Sequence, residues 1–378
     1  MTAADWLQAW DSQGVHRTGT DGDEAGAAWL AREVAALGAR ADSEAFALER
    51  LDPVGACLEL NGARIDAVPV FDAPATDAEG IVGRLGPAGG DSEIGVAELS
   101  PQSVYSGEYQ SLRRDARHRA LVVICRGAHP GMGLLNAEQF REPYGAPAIH
   151  VASGARDAVL AAASRGDVAR VVAASRRTAA TARNIVVTFV GRETGRPPVV
   201  VMTPRSSWWQ STSERGGGLV CWLATLRALI ADPPACDVVM TANSGHELGH
   251  LGLDAFIARR PGWDRPTGQG GAVWVHYGAN LGAAGGRLSV VSNSDELGAQ
   301  MAAALGEAGQ PPDVLAPKSL VPSGETRDIH RAGGCYVTLV GSNPLFHLPQ
   351  DRWPHAVDVP AVTRIARASA RLVVTLTR

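Results

Sequence analysis

The sequence predicts a three-layer α/β protein in which helices cover both faces of a mostly parallel sheet. Strands that are apolar throughout, such as "PPVVVMTP" (197–204) and "CDVVMTAN" (236–243), alternate with helical segments in the second half of the chain. Uninterrupted apolar strands are typical of parallel sheets that are buried on both faces. Polar segments follow these strands directly, which is where open α/β sheets place their sites.

The first half of the chain predicts a helix followed by short strands. Residues 20–38 carry acidic residues near the start, apolar residues spaced three and four apart, and a final glycine, which predicts a helix. From about Ala45 to Leu85, short alternating runs broken by Gly, Pro and Asp predict small strands. Residues 119–127 predict a buried strand, and "APAIHVASGARDAVLAAASRG" predicts a strand, a turn and a helix.

After a return to strands in "RVVAASRRTAATARNIVVTFVG", the second half alternates regularly. Strands are predicted at 197–204, 236–243, 271–282 and 333–341, and helices at 216–231, 248–259 and 359–377. The segment from Glu59 to Ala180 does not fit this alternation and is interpreted as an insertion. We therefore expect one domain made of residues 1–58 and 181–378, and a mainly β domain made of residues 59–180.

The composition excludes several classes of protein. The chain has 378 residues and a net charge of -4, without the clustered basic charge of a nucleic-acid binder. Its five cysteines are scattered and form no Cys-x-x-Cys pair, so neither a disulfide framework nor a zinc knuckle is indicated. No basic segment leads into an apolar run at the N-terminus, and no stretch is long and apolar enough to cross a membrane. We expect a soluble cytoplasmic protein.

The segment "SGHELGH" (244–250) contains His-Glu-x-x-His, the pattern in which a helix offers two histidines to zinc. In such a site the two histidines lie one helical turn apart on one face. Here His246 follows Ser244 and Gly245 directly after an apolar strand, so it lies in a loop before the helix is established. No third ligand follows at helical spacing, and we therefore disfavour this interpretation.

The chain resembles the co-catalytic zinc aminopeptidases and their relatives, the glutaminyl cyclases, the glutamate carboxypeptidases and the transferrin receptor. "HRTGTDGDEAGAAWLAREVAALG" is similar to the N-terminal helix entry of these proteins, and "ARNIVVTFVG" to the strand that re-enters the catalytic domain. "TANSGHELGHLGLDAF" resembles their strand, Gly-Glu-Glu loop and helix, and "LFHLPQDRWPHAVDVPAVTRIARASARLV" their C-terminal histidine loop and last helix. The inserted segment resembles a protease-associated domain.

The resemblance also shows a departure at one ligand position. The family usually has His-x-Asp after the strand that here ends in "VVVMTPRSSWW", and this chain offers no good zinc ligand there. Arg205 stands in this region. A guanidinium at that position would replace one positive charge of a lost metal and could bind a substrate carboxylate bidentately. Alternatively, Arg205 forms a buried salt bridge with Glu214.

The remaining ligand positions are retained or replaced. The resemblance implies that Glu247 and His347 keep ligand positions, and that Glu214 and His276 are plausible replacements, with Asn280 a weaker one. Glu214 could instead form an ion pair with Arg215 or Arg205. A mononuclear site of Glu214, Glu247 and His347 would correspond to that of the glutaminyl cyclases. Three such ligands plus water suffice for a catalytic zinc, so the expected cofactor is one divalent metal ion, zinc in the first place.

Two further histidines have open roles. His246 stands where the family has its base glutamate, and it is either the general base or a further metal ligand. His250, one turn later, is either a further ligand or a packed helix histidine. The residues expected to line the substrate pocket are Trp208, Trp209, Asn280 and His330. The tryptophans could equally be core residues, and His330 could be an ordinary surface histidine.

The resemblance implies a metal-dependent hydrolase that acts on a small amide or peptide-like substrate. A metal would lower the pKa of a bound water and polarise the scissile carbonyl. The lost base glutamate and the lost ligand argue against ordinary two-zinc aminopeptidase activity. The alternative is a metal-free, non-catalytic relative with a binding role. A single-zinc cyclising acyl transferase fits the ligand count but lacks the base. The inserted domain is expected either to cover the cleft or to mediate a homodimer.

Overall fold

Nine helices and thirteen strands alternate along the chain in the computed structural model, which describes residues 1–378. The helices are α1 (Ala3–Asp11), α2 (Asp21–Ala36), α3 (Gly107–Arg113), α4 (Arg156–Arg165), α5 (Gly217–Ala231), α6 (Leu251–Ala258), α7 (Asp295–Glu307), α8 (Thr326–Ala332) and α9 (Val359–Thr377). The strands are β1 (Asp42–Leu60), β2 (Ala63–Pro69), β3 (Ile81–Pro87), β4 (Ile94–Leu99), β5 (Ala120–Cys125), β6 (Ala148–Val151), β7 (Val168–Phe189), β8 (Val199–Pro204), β9 (Val238–Asn243), β10 (Val273–Tyr277), β11 (Leu288–Ser292), β12 (Val314–Leu315) and β13 (Cys335–Gly341).

The main sheet has the order β7-β9-β8-β10-β13-β11-β12. Its central strands β9, β8, β10 and β13 are parallel to one another, whereas β7 pairs antiparallel with β9 and β11 pairs antiparallel with β13. All six residues of β8 and all six of β9 are buried, because helices lie on both faces. A core of 41 buried residues includes α1, α2, α5, α7 and α9 on one face, and a second core includes α6 and α8 on the other. The predicted fold class is confirmed.

Two long strands connect the main sheet to the inserted segment. β1 and β7 pair antiparallel from Asp42 opposite Val186 to Leu60 opposite Ala169, with an irregularity between Pro53 and Gly55. The inserted strands β2, β6, β5, β4 and β3 form a second sheet on the far half of this ribbon. The expected domain borders at residues 58/59 and 180/181 therefore lie inside continuous strands.

The observed elements differ from the sequence predictions mainly where strands pair over long distances. The short strands expected from Ala45 to Leu85 include one strand of 19 residues, because β1 is held along its whole length by β7. The short strands β11 and β12 were not predicted. The helix expected at residues 20–38 is found as Asp21–Ala36, and the buried strand expected at 119–127 is Ala120–Cys125.

The parallel pairing brings the carboxyl ends of four strands to one edge. In register, Pro204 at the end of β8 lies opposite Asn243 at the end of β9, and His276 of β10 lies opposite Thr338 of β13. The polar segments that follow these strands therefore start side by side. None of the helices combines the length and apolar character that a membrane crossing requires.

Candidate functional site

A cavity of about 450 Å³ lies at the carboxyl edge of the main sheet. His246, His276, His347 and Asn280 line it from the main domain. The inserted domain contributes Pro101, Gln102, Tyr105 and Asn136 to its wall. Residues of the inserted segment therefore form one side of this cavity.

The segment before α5 delivers two charged side chains beneath this cavity. Residues 212–216 form one wide helical turn in which Glu214 and Arg215 are buried. The carboxylate of Asp351 accepts the backbone N–H groups of Ser213 at 2.8 Å and Glu214 at 3.0 Å, and so caps this turn from a distant part of the chain. At Gly217, a Cβ atom would lie 1.9 Å from the carbonyl oxygen of Leu281, so only glycine allows α5 to start here.

Arg215 lies between two carboxylates. Its Nη2 atom is 2.9 Å from Glu214 Oε1 and 2.7 Å from Glu247 Oε1, and its Nε donates to the carbonyl of Ser206 at 2.6 Å. The hydroxyl of Ser206 donates to Glu247 Oε2 at 2.7 Å. All four residues are at most 2% exposed. We call Ser206, Glu214, Arg215 and Glu247 the arginine cluster.

The charges of this cluster reinforce one another. Burial alone would raise the pKa of Glu214, but Arg215 and His347 outweigh it and hold this pKa at about 2. Burial alone would lower the pKa of Arg215, and the charges of Glu214 and Glu247 instead raise it. Both groups are therefore charged at neutral pH, and the guanidinium is a permanent cation.

His347 lies against the same cluster. Its Nε2 atom is 3.4 Å from Glu214 Oε1, and its Nδ1 atom is 2.7 Å from the carbonyl oxygen of Leu134 in the inserted domain. A carbonyl oxygen only accepts, so Nδ1 carries the proton. The Nε2 atom of His347 therefore faces Oε1 of Glu214. Nε2 of His347 makes no hydrogen bond, and Oε1 of Glu214 has only the ion-pair contact with Arg215.

A second group of side chains lies beside the first. Glu325 Oε2 is 3.8 Å from His246 Nδ1 and 3.7 Å from His276 Nε2, while Glu325 Oε1 accepts from Asn243 at 3.2 Å. Burial alone would raise the pKa of Glu325, but His246 and His276 lower it. The pKa of His246 is lowered by burial and then by Arg215. We call His246, His276 and Glu325 the histidine–glutamate cluster.

His276 is oriented from its other side. Its Nδ1 atom is 2.7 Å from Thr338 Oγ1 and 2.6 Å from Thr326 Oγ1. The neighbouring strand β13 supplies Thr338 and the start of α8 supplies Thr326, so both elements fix the ring that lines the cavity. Hydrogen bonds at one ring nitrogen determine which tautomer the other nitrogen adopts.

Several residues expected at the site lie away from the cavity. Arg205 is fully buried and bonds Asp23 at 2.8 Å and the carbonyl of Arg183 at 2.5 Å. The expected role in binding a substrate carboxylate is corrected to a buried pair, whose partner is Asp23 rather than Glu214. His250 bonds Asp328 at 2.5 Å, and this carboxylate raises the pKa of His250 although burial alone would lower it.

The tryptophans and His330 also do not line the cavity. Trp208 is buried in the junction between the two domains and donates to Asn136 at 3.1 Å, which favours the core interpretation. Trp209 donates to the carbonyl of His347 at 3.0 Å and supports the loop that carries this histidine. His330 bonds the hydroxyl of Tyr336 at 3.0 Å, away from the cleft.

The sequence reasoning missed three residues that shape the site, namely Ser206, Glu325 and Asp351. Glu325 lies in "SGETRDIH", a loop and helix start that matches no motif. Asp351 follows the C-terminal histidine by four positions, and its capping of the turn before α5 is a contact over 138 residues. For Arg215, the sequence contained one signal: it stands next to Glu214, and neighbouring opposite charges indicate an ion pair.

The residues do not fit the metal that the fold implies. In no part of the chain are three or more His, Cys, Asp or Glu side chains arranged so that they could hold a metal ion. Glu214 and Glu247 direct one carboxylate oxygen each at the guanidinium of Arg215. A metal bound by these carboxylates would lie against a cation that is already there, and like charges at this distance repel strongly.

Comparison with solved structures identifies the fold. A zinc aminopeptidase of Bacillus subtilis, BSAP, matches 100% of this chain and 94% of its own, with 15% identity and a TM-score of 0.77. A peptidase precursor from Shewanella amazonensis matches 100% of this chain and 93% of its own, with 13% identity and a TM-score of 0.77. A glutaminyl cyclase of Bacteroides thetaiotaomicron matches 98% of this chain and 96% of its own, with 9% identity and a TM-score of 0.50.

The sequence itself matches no protein-family profile and no curated protein. The chain therefore has the fold of the zinc aminopeptidases. At identities of 15% and below, the likeness extends to the fold alone. What the site does must follow from its own residues.

Proposed function

We propose that this chain is a metal-independent relative of the zinc aminopeptidases that binds a small molecule in the cavity above the arginine cluster. The observation that carries the proposal is the position of Arg215 between Glu214 and Glu247. A guanidinium held by two carboxylates supplies the positive charge that a metal ion would bring. It also uses the lone pairs that a metal ion would need.

The energetics support an arginine that stays in place. Arg215 is 1% exposed and all three of its bonded partners are buried, so withdrawing it would leave two ionised carboxylates unpaired in the interior. Breaking a buried charge pair in this way costs about 3–5 kcal/mol. A metal ion that displaced Arg215 would have to compensate this cost before it could bind with any net affinity.

The cavity itself supports a binding role. Its volume of about 450 Å³ falls in the range of about 300–1,000 Å³ that is usual for small-molecule sites. Imidazole and amide groups form its floor, and Val314, Leu320 and Val321 form an apolar wall. A pocket with an apolar wall and a few convergent polar groups is the usual form of a ligand site.

A metal-dependent hydrolase is the second candidate function. His347 Nε2 lies 3.4 Å from Glu214 Oε1 and has no hydrogen-bond partner, which is the orientation of a potential ligand. If Arg215 withdrew, Glu214, Glu247 and His347 would form a three-ligand set of the kind that catalytic zinc accepts. His246 would then stand beside the ligand set, at the cavity wall, as the proton acceptor.

Replacement of Arg215 separates the two candidates. Arg215→Met removes the cation and keeps an apolar side chain in its place. Under the metal-independent proposal, zinc leaves the thermal unfolding of the unmodified chain unchanged. Zinc should instead stabilise the Arg215→Met variant by about 2–3 kcal/mol when the zinc concentration is about a hundred times its dissociation constant. The measurement is thermal unfolding with and without zinc, together with the metal content of the purified proteins.

Arg327→Met is the matched control. Arg327 lies beside the cavity but pairs with Glu138 at 2.5 Å, away from the arginine cluster. We expect no response to zinc from this variant. A bound metal ion in the unmodified chain, with zinc-dependent hydrolysis of aminoacyl amides, would contradict the proposal and favour the hydrolase.

A further inference from the structure

We infer that the cavity receives an uncharged, polyhydroxylated molecule with an apolar substituent, which is the chemistry of an alkyl or aryl glycoside. The inference rests on the proposed function, because it takes the cavity to be a binding site. It differs from what the likeness to the aminopeptidases suggests, because an aminopeptidase must accept the charged amino terminus of a peptide.

The wall of the cavity has no permanently charged side chain. None of the 25 residues that line it is Asp, Glu, Lys or Arg. Burial, followed by the charge of Arg215, lowers the pKa of His246, so this wall histidine is uncharged at neutral pH. A charged ligand that lost its water here would find no counter-charge on the wall, and burying an unpaired charge is costly.

The carboxylates beneath the cavity do not supply a counter-charge at the wall. Glu214 and Glu247 are at most 2% exposed and are held by Arg215. Glu325 is fully buried, and its Oε2 atom lies 3.8 Å from His246 Nδ1. None of the three carboxylates lines the cavity. The wall therefore favours a neutral ligand over a cation or an anion.

The polar groups of the wall both donate and accept hydrogen bonds. They include amides and hydroxyls, and the side chains of Gln102, Ser289 and Ser323 form no hydrogen bond to another protein group. An amide offers N–H donors and a carbonyl acceptor, and a hydroxyl combines both roles in one group. A ligand hydroxyl matches such groups, whereas an ammonium group only donates and a carboxylate only accepts.

These free groups lie on separate parts of the wall, which indicates more than one ligand hydroxyl. Gln102 belongs to the inserted segment, Ser289 to strand β11, and Ser323 to the segment that precedes α8. A single hydroxyl group would reach only one of these places. A ligand with hydroxyls on several of its carbon atoms would reach more of them at once.

The rest of the wall indicates an apolar substituent. Val314, Leu320 and Val321 line the cavity and are 37%, 47% and 54% exposed. Exposed aliphatic side chains on one wall are typical of a binding surface for an apolar group. The rings of Tyr105 and Phe346 also line the cavity, and flat aromatic surfaces fit the C–H face of a sugar ring.

Binding of matched probes tests the inference. Isothermal titration calorimetry at neutral pH compares phenyl glucoside with phenyl glucuronide, in which a carboxylate replaces the hydroxymethyl group. A third probe carries an ammonium group in place of the hydroxyl of that hydroxymethyl group, and a fourth, N-acetylphenylalanine amide, is neutral but has no hydroxyl. We expect phenyl glucoside to bind at least about tenfold more tightly than each of the other three.

Gln102→Glu tests the importance of a neutral wall. Gln102 is exposed, and the substitution adds a charge with little change in shape. The ammonium probe should bind this variant about tenfold more tightly than it binds the unmodified chain, because the wall now holds a counter-charge. Phenyl glucuronide should bind it more weakly, since like charges repel.

Gln350→Glu is the matched control. Gln350 is exposed and donates to the carbonyl of Pro130, outside the cavity. This variant should keep the affinity for every probe within about twofold of the unmodified chain. A change in Gln350→Glu as large as that in Gln102→Glu would overturn the assignment, because the effect would then not depend on the wall.

Tighter binding of a charged probe or of the amide by the unmodified chain would overturn the inference, and so would the absence of phenyl glucoside binding. Metal independence is tested separately, by the response of the unmodified chain to zinc. Failure of the ligand class and failure of the proposed function are therefore distinguishable, since the first depends on the titrations and the second on the metal response.

Discussion

At the level of single residues, Asp351 controls the turn that carries the arginine cluster. Its carboxylate accepts two backbone N–H groups, from Ser213 and Glu214, and it is fully buried. Burial, followed by the charge of Glu214, raises the pKa of Asp351 to about 7 from an ordinary value of 3.8. The native state therefore holds this proton more tightly than the unfolded chain does.

This shift predicts a pH dependence of stability. The contribution of Asp351 is fully present below pH 3.8 and is lost as the pH rises through about 7. Asp351→Asn does not titrate, so its unfolding free energy should fall less than that of the unmodified chain across this window. The difference is on the order of 1 kcal/mol or more, at about 1.4 kcal/mol per pKa unit. Urea unfolding at a series of pH values measures it.

Asp11→Asn is the control with the opposite sign. Burial alone would raise the pKa of Asp11, but hydrogen bonds from Arg352 and Thr212 lower it. Asp11 therefore stabilises the fold above its ordinary pKa, and the deficit of Asp11→Asn should disappear in acid. Parallel pH curves for the unmodified chain and Asp351→Asn would contradict the assignment.

Sequence patterns predicted that several polar residues lie at one edge of the sheet but did not determine their contacts. The rule that sites follow the ends of parallel strands predicted His246, Glu247 and His276 at one edge; His246 and His276 line the cavity, and Glu247 is buried against Arg215. The direction of a side chain is not contained in such a pattern. Nothing in the spacing shows that Arg215 turns inward between two carboxylates, because this depends on packing by distant residues.

At the level of elements, glycines have opposite roles in two helices. Gly217 begins α5 where a Cβ atom would lie 1.9 Å from a backbone carbonyl oxygen, whereas Gly306 in α7 has no atom within 4 Å of that position. Gly306→Ala should stabilise the protein by about 0.5–1 kcal/mol, because glycine is a poor residue inside a helix. Gly217→Ala should destabilise it by about 2 kcal/mol or more, because the backbone must shift.

Chemical denaturation of the two variants measures both effects under one condition. Comparing Gly306→Ala with Gly217→Ala separates the helix propensity of alanine from the steric effect of its Cβ atom. A stable Gly217→Ala protein would mean that α5 can move away from Leu281. The arginine cluster precedes α5 directly, so its geometry would then be adjustable too.

The elements themselves were predictable to different degrees. Apolar strands with local neighbours, such as β8 and β9, and helices with clear periodicity, such as α2 and α9, were found where they were expected. The ribbon of β1 and β7 was expected only as short strands, because its partners are more than 100 residues apart. Pairing over that distance leaves no local signal in the sequence.

At the level of the whole molecule, the inserted domain and the main domain share one junction. Trp208 is 2% exposed, its ring packs against Phe71 at 4.5 Å between centroids with an interplanar angle of 40°, and it donates a hydrogen bond to Asn136 of the inserted domain. Backbone contacts reinforce the junction, since the N–H of Ala137 donates to the carbonyl of Glu247 at 2.8 Å. The inserted domain therefore holds the loops of the site in place.

This shared junction predicts cooperative unfolding. The unmodified chain should unfold in a single calorimetric transition. Trp208→Ala removes the largest side chain of the junction, at a cost of about 3–5 kcal/mol, and should separate the inserted domain as an earlier transition. Differential scanning calorimetry measures this directly.

Trp29→Ala provides the comparison. Trp29 is a similarly buried tryptophan, 5% exposed, but it lies in the core of the main domain. Its loss should lower the unfolding temperature without separating two transitions. A single transition in Trp208→Ala would show that other contacts are sufficient to couple the domains.

The guanidinium of Arg215 has a consequence for how such a site depends on its surroundings. A metal ion is acquired after synthesis, exchanges with competing ions and can be removed by chelators. A side chain is present from the moment the chain folds and has no dissociation rate. Under the metal-independent proposal, such a site would have no empty form, and its competence would depend on folding alone and not on the supply of metal in the cell.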